Sequence, residues 1–233
     1  MRKQSFQTTV KEDKRKRRSK SPIMSSALLL ALLVGSLLLS RAATLTCQKG
    51  IYQAVLNVSQ EFFSWTTGTE VCRDSSYGCQ DTLLLLENGP FASVVLSKGC
   101  VQAPDQEPQL THHRAGPGLS LISFTRVCRE DLCNHLSSTL PIWAPPSSPV
   151  PGNVRCHVCL SEEDCLSAPK LTCPVGTTHC YDGVLQIEGG SVFTIMRVQG
   201  CMPQAGCNLL NGTVTVGPLA LRESCDPKGP FYL

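Results

Sequence analysis

The residues with most chemistry to offer in this chain are its 14 cysteines. Cys156-His157-Val158-Cys159 has the C-x-x-C spacing of a zinc ligand pair or of a redox dithiol. Neither reading is favoured, because no second C-x-x-C exists to complete a zinc set and no βαβ pattern exists to carry a thioredoxin-type site. His112-His113 sits on a stretch bounded by proline and glycine and reads as a solvated pair rather than a ligand set. Glu162-Glu163-Asp164, beside Cys165, reads as a solvated turn, since acid–base catalysis needs opposed groups in a cleft. The D-x-D-x-D-G pattern of a calcium loop is missing, as are G-x-S-x-G, H-E-x-x-H and a phosphate-cradling glycine loop. The expectation is a chain with no catalytic residue, no metal and no cofactor, whose cysteines serve as cross-links.

Cross-links require an oxidising compartment, and the N-terminus supplies the route. Residues 27–39 are uncharged and apolar, too short for a comfortable membrane span and suited to the core of a signal peptide. Ser40-Arg41-Ala42 places small residues at the positions a signal peptidase inspects, which predicts cleavage after Ala42 or Ala43 and no transmembrane span thereafter. The basic run Lys14-Arg15-Lys16-Arg17-Arg18 belongs to this leader, and Met24 offers an alternative start that would omit it. Taking away the leader's 10 Lys+Arg and 2 Asp+Glu leaves 11 positive and 16 negative residues, so the formal charge of +3 becomes −5. A chain of that sign is not built for nucleic acid.

The elements that position the cysteines occur twice. Cys79 to Cys100 and Cys180 to Cys201 each span 21 positions, with a further cysteine 7 positions upstream, Cys72 and Cys173. Between them lie two runs of β-formers separated by Asn88-Gly89 in one copy and Gly189-Gly190 in the other, the chemistry of a tight hairpin. The cysteines divide as 6 and 8, both even, so neither copy needs a partner from the other. This gives a leader over 1–43, a first domain over 44–136, a Pro-rich linker over 137–155 and a second domain over 156–233. Trp143 in that linker either packs the two units together or lies exposed. Phe62-Phe63-Ser64-Trp65 reads as the inner face of the first finger rather than as a binding hot spot, given how little core so small a unit has. Asn57-Val58-Ser59 and Asn211-Gly212-Thr213 are glycan acceptor triplets, each glycan shielding one face of its finger.

The Cys128-x4-Cys133-Asn134 ending, the C-x6-C before each central hairpin and the C-x2-C opening of the second unit resemble the three-finger domain of the lymphocyte-antigen and urokinase-receptor superfamily. The fold class that this implies is small, disulfide-rich and all-β, with two tandem three-finger, snake-toxin-like domains. By position, the resemblance implies Cys47–Cys79, Cys72–Cys100 and Cys128–Cys133 in the first unit, and Cys156–Cys180, Cys159–Cys165, Cys173–Cys201 and Cys207–Cys225 in the second. Spacing alone leaves about 15 pairings for six cysteines and about 105 for eight. Gly50 stands where the second unit has Cys159, so the first finger of the first unit is expected to be the looser one. In units this small, cross-links of roughly 2–4 kcal/mol each are expected to replace core, with the fingers splayed rather than closed around one.

Segments such as C-Q-D-T-L, V-L-S-K-G-C, L-P-I-W-A-P and T-T-H-C-Y-D-G resemble a neutrophil-surface member of that superfamily, over about Leu45 to Ser224. That resemblance implies a non-enzymatic binding protein acting in adhesion and migration and in display of a serine protease. The implied partners are platelet endothelial cell adhesion molecule, proteinase three and a β2 integrin, with no contact residue assigned to any of them. The alternative is a soluble inhibitor similar to the serum phospholipase A2 inhibitors. Residues 226–233 lack the hydrophobic tail of a lipid-anchor signal, so the expected location is extracellular, or the cell surface if an anchor lies outside this chain.

Overall fold

The computed structural model describes residues 44–58, 62–143 and 150–225. The expected leader, Ser59 of the first acceptor triplet, the middle of the Pro-rich stretch and the segment after Cys225 lie outside the described residues. No helix among those residues is long and apolar enough to cross a membrane.

In the first unit β1 (Thr46–Asn57), β2 (Gly68–Val71), β3 (Gly78–Asn88), β4 (Phe91–Val101), β5 (Gln106–Arg114) and β6 (Ser120–Cys128) form one antiparallel sheet in the order β2-β1-β4-β3-β6-β5. The second unit contains β7 (Pro151–His157), β8 (Cys159–Ser161), β9 (Lys170–Pro174), β10 (His179–Gly189), β11 (Val192–Met202), β12 (Thr215–Val216) and β13 (Leu219–Ser224). Five of these make a sheet in the order β12-β13-β10-β11-β8, and β7 pairs with β9 apart from it.

Both central hairpins form, with their turns one residue beyond the expected pairs. Asn88 pairs with Phe91, leaving Gly89-Pro90 as the turn, and Gly189 pairs with Val192, leaving Gly190-Ser191. Gly89 has φ 60° and proline accepts the negative φ of the next position, whereas Gly190 and Ser191 both take positive φ, 55° and 67°. Asn88 is thereby released from the turn for another task.

Alternation along the strands explains the run of four leucines in β3. Leu84 and Leu86 share one face with Val95, and meet Leu185, Ile187, Met196 and Val198 of the second unit in a common core. Leu83 and Leu85 point the other way with Val94 and Leu96, under Phe63, Ile142 and Trp143. The expectation of splayed fingers without a core is thus corrected. Each sheet lends its inner face to one shared core, burying apolar area that neither small unit could bury alone.

Without a staple at Gly50, β1 runs 12 residues and pairs with β4 from Gly50 opposite Lys98 to Asn57 opposite Phe91. A Cβ at Gly50 would come within 2.9 Å of Thr67 Cγ2, so glycine keeps the returning chain close. In the second unit Cys159–Cys165 bends the chain away after the three residues of β8. Trp143 neither packs the two units together nor lies exposed: it is buried within the first unit, edge-on to Phe63 at 5.5 Å between ring centroids.

The two units meet head to tail. At the tip of the β3–β4 hairpin, Asn88 Nδ2 donates to Gln199 O at 2.8 Å and to Cys159 O at 3.0 Å, and Phe91 rests against Cys156, Val158, Cys173 and Cys201. At the tip of the β10–β11 hairpin, Gly190 O accepts from Ser97 Oγ at 2.9 Å, close to Cys100 at the base of β4. The seam is tight at Gly118, where φ is 93° and a Cβ would stand 2.1 Å from Cys201 O.

Candidate binding surface

Every cysteine among the described residues is in a disulfide. The first unit holds Cys47–Cys79, Cys72–Cys100 and Cys128–Cys133, and the second Cys156–Cys180, Cys159–Cys165, Cys173–Cys201 and Cys207–Cys225, with Cα separations of 5.2–6.2 Å. The two cysteines of the C-x-x-C therefore bond to different partners, and neither sulfur is a thiolate that could hold zinc or exchange electrons with its neighbour. Asn134 completes the first knot: its Nδ2 donates to Gln48 O at 2.8 Å and Gln80 O at 2.9 Å, and its Oδ1 accepts from Gln48 N at 2.8 Å.

Beside that knot lies a group that the sequence reasoning missed. Lys98 Nζ stands 2.9 Å from Asp81 Oδ1 with both side chains out of solvent, 0% and 1% exposed. Lys98 also donates to Asn134 O at 2.6 Å and Gln48 Oε1 at 2.9 Å. Burial pushes the Asp81 carboxyl up and the Lys98 ammonium down, and each charge partly offsets the shift of the other. Hairpin register was the available signal. With Cys79 opposite Cys100, Asp81 must oppose Lys98.

The other singled-out residues are separated by the fold. Glu162 contacts Gln53 of the first unit, and Asp164 Oδ1 accepts from Leu166 N at 3.1 Å, so the acidic run is divided between the seam and its own loop. His112 and His113 lie in β5 and not on a solvated loop. His112 is exposed, whereas His113 is half-buried at the seam, with Ser123 Oγ 2.7 Å from Nε2 and Thr213 Oγ1 3.0 Å from Nδ1. Burial, and then its neighbour His112, hold the His113 imidazole below its ordinary range. Phe63 is buried and Trp65 lies 5.9 Å from Tyr52 with its indole N–H donated to Leu136 O at 3.0 Å, while Phe62 is exposed. Asn57 is exposed at the end of β1, and Asn211 Nδ2 donates to His113 O at 3.2 Å.

What remains for a partner is unequal between the units. The outer face of the first sheet lies under Phe63, Ile142 and Trp143. The corresponding face of the second sheet carries Phe193, 64% exposed, with Ile195 and Arg197 half-buried on β11, Glu188 on β10 and Arg222 on β13. This apolar and mixed-charge face, together with the adjoining third finger, is the candidate interaction surface.

A family model, u-PAR/Ly-6 domain, matches residues 58–136 and 152–230. The chain is 52% identical to the CD177 antigen of Mus musculus over 184 residues, covering 78% of this chain and 22% of that protein, so it spans about a fifth of that relative's length. It is 34% identical to testis-expressed protein 101 of Homo sapiens over 201 residues, 85% of this chain and 81% of that one. The crystal structure of mouse TEX101 superposes with a TM-score of 0.69 at 32% identity, covering 77% of this chain and 97% of that one.

Proposed function

The chain belongs to the u-PAR/Ly-6 family, and from that premise we propose that it is a non-enzymatic, extracellular or cell-surface protein-binding module of the leukocyte type, acting in adhesion and migration and in display of a serine protease. Similarity to the CD177 antigen carries the reading, and the open outer face of the second sheet supports it. Platelet endothelial cell adhesion molecule, proteinase three and a β2 integrin are the proposed partners, with adhesion-molecule binding the first to be sought. The proposal includes a leader removed near Ala43, domains over 44–136 and 156–233, the first continued to Trp143 by its packing and the second begun at Pro151 by β7, the seven bridges as drawn above, and glycans on Asn57 and Asn211.

The test immobilises residues 44–233 and measures capture of the ectodomain of the adhesion molecule, of proteinase three and of a secreted phospholipase A2. Saturable capture of either of the first two supports the reading. Inhibition of the lipase with neither captured replaces it by the inhibitor alternative. Peptide mapping without reduction, on the glycosylated product, reads the bridges and both acceptor asparagines directly.

A further inference from the structure

The third fingers of the two units differ in a way that leaves a strand's place open. In the first unit β6 is paired by β5 over nearly its whole length, from Gln106 opposite Val127 to Arg114 opposite Leu121. In the second unit the equivalent strand, β13, is paired on that side only by the two residues of β12, Thr215 opposite Ala220 and Val216 opposite Leu219, and by Leu221 N donating to Val214 O at 2.9 Å. β13 then continues through Arg222, Glu223 and Ser224 with no strand on its outer edge among the described residues. Matching the hairpin cysteines makes these three positions the counterparts of Ile122, Ser123 and Phe124, which in the first unit face His112, Thr111 and Leu110 of β5.

The vacant place is a notch of about 800 Å³ between β13 and the loop running from Leu210 to Val214. Gln186 lines it, 8% exposed, and its Oε1 is buried with no hydrogen-bond partner. Orphaned amide oxygens of that kind are rare in folded proteins, and each one wants an N–H. Arg222, exposed on the rim, forms no ion pair among the described residues, while the neighbouring Glu223 is fully engaged by Leu209 N at 2.6 Å, Leu210 N at 2.9 Å and Tyr181 OH at 2.8 Å. Val214, 67% exposed, offers an apolar contact on the opposite wall. Asn211 Nδ2 donates to His113 O of the first unit, and Gly212 and Thr213 of the same acceptor triplet line the notch.

We propose that the open edge of β13 is completed by an extended, acidic segment of a partner protein, which adds as a short strand beside Arg222–Ser224 and sets a carboxylate against Arg222. Main-chain pairing gives such a strand its affinity and the alternate side chains its selectivity. This deepens the protein-binding reading and rests on it.

The probe is the blocked peptide acetyl-Thr-Val-Glu-Val-Thr-amide, titrated into enzymatically deglycosylated residues 44–233, with hydrogen exchange followed by mass spectrometry. The expected result is saturable binding with protection confined to 212–224, weakened about tenfold or more by Glu→Lys in the peptide and by methylation of its alternate amide nitrogens. Arg222→Glu reverses the preference between the Glu and Lys peptides, and a folded circular dichroism spectrum of that variant accompanies the measurement. Binding that ignores both Arg222→Glu and N-methylation overturns the proposal, and so does an edge already protected before peptide is added, which assigns it to this chain's own terminal segment. If the adhesion molecule or proteinase three is captured equally by Arg222→Glu, the edge proposal falls and the protein-binding reading stands. Peptide binding without capture of any proposed partner keeps the edge proposal and the protein-binding reading and removes only the named partners.

Discussion

Asp81 and Asp182 hold the same position in the two hairpins, each two residues after a disulfide-bonded cysteine and each opposite the residue two before the paired cysteine, yet they live in different environments. Asp81 meets Lys98 with 1% of its side chain exposed, beneath Asn134 and the chain that returns through Leu136. Asp182 is exposed and accepts from Gln199 Nε2 at 3.0 Å. The hairpins are alike; what lies over their outer faces is not. In the first unit the residues after Cys133 fold back and bring Ile142 and Trp143 onto the sheet together with Phe63. A buried acid there needs a full opposite charge, because removal from water penalises a lone carboxylate by several kcal/mol. On the open face a neutral amide suffices. The comparison teaches that the covering segment, not the hairpin, decides whether a sheet face becomes core or contact surface.

The largest effect expected from breaking this asymmetry is that of Lys98→Met, which strands Asp81 and should cost about 3–5 kcal/mol in chemical denaturation, whereas Asp182→Ala should stay within about 0.5 kcal/mol. Equal losses would remove the distinction between the two faces. Trp143→Ala comes next, at about 3 kcal/mol from the lost contact with Phe63 and the outer core, while Phe193→Ala on the open face should leave the midpoint almost unchanged. The Cys159→Ser, Cys165→Ser double variant sharpens the comparison of first fingers. Loss of so short a loop should lower stability by about 2 kcal/mol, with increased hydrogen exchange in 159–170 and none in β1, which holds its register without such a bridge.

The smallest effect is a pH slope at the seam. The His113 imidazole is held below its ordinary 6.5 in the folded chain, so the unfolded chain takes up a proton that the folded one refuses. Its contribution is therefore complete above about 6.5 and declines as pH falls below that value, levelling off once folded His113 itself titrates. His113→Gln keeps polar contact with Ser123 and Thr213 but cannot titrate. The difference in Tm between the variant and the parent chain, followed from pH 7.5 down to about 5, should shift in favour of the variant as the solution is acidified. An unchanging difference would show that His113 does not couple the seam to protons.

Much of the frame was legible in the residues. Cysteine spacing gave the duplicated hairpin, and the turn chemistry located both tips to within one residue, because a two-residue connection tolerates few residue types. The family motif Cys-x4-Cys-Asn pointed to Asn134, whose amide joins β1 and β3. The unbroken Leu83–Leu86 run was the neglected signal, since a strand with a solvated face alternates and this one does not. His113 and the acidic run were misplaced for a different reason: their partners, Thr213 and Gln53, lie about 100 positions away in the chain, and no local pattern announces a contact between two units.

By itself, then, the sequence determined the covalent and short-range design: which segments form the two central hairpins, where they turn to within one residue, and that sulfur would pin their bases. Only the tertiary structure decided that the two units share one apolar core head to tail, that one outer face is covered while the other exposes Phe193 and Arg222, and that no strand among the described residues runs along β13 beside Arg222–Ser224. Spacing and turn chemistry act within a few residues and can be read along the chain, whereas burial depends on which surfaces come to face each other in space, and that is set by the whole fold at once.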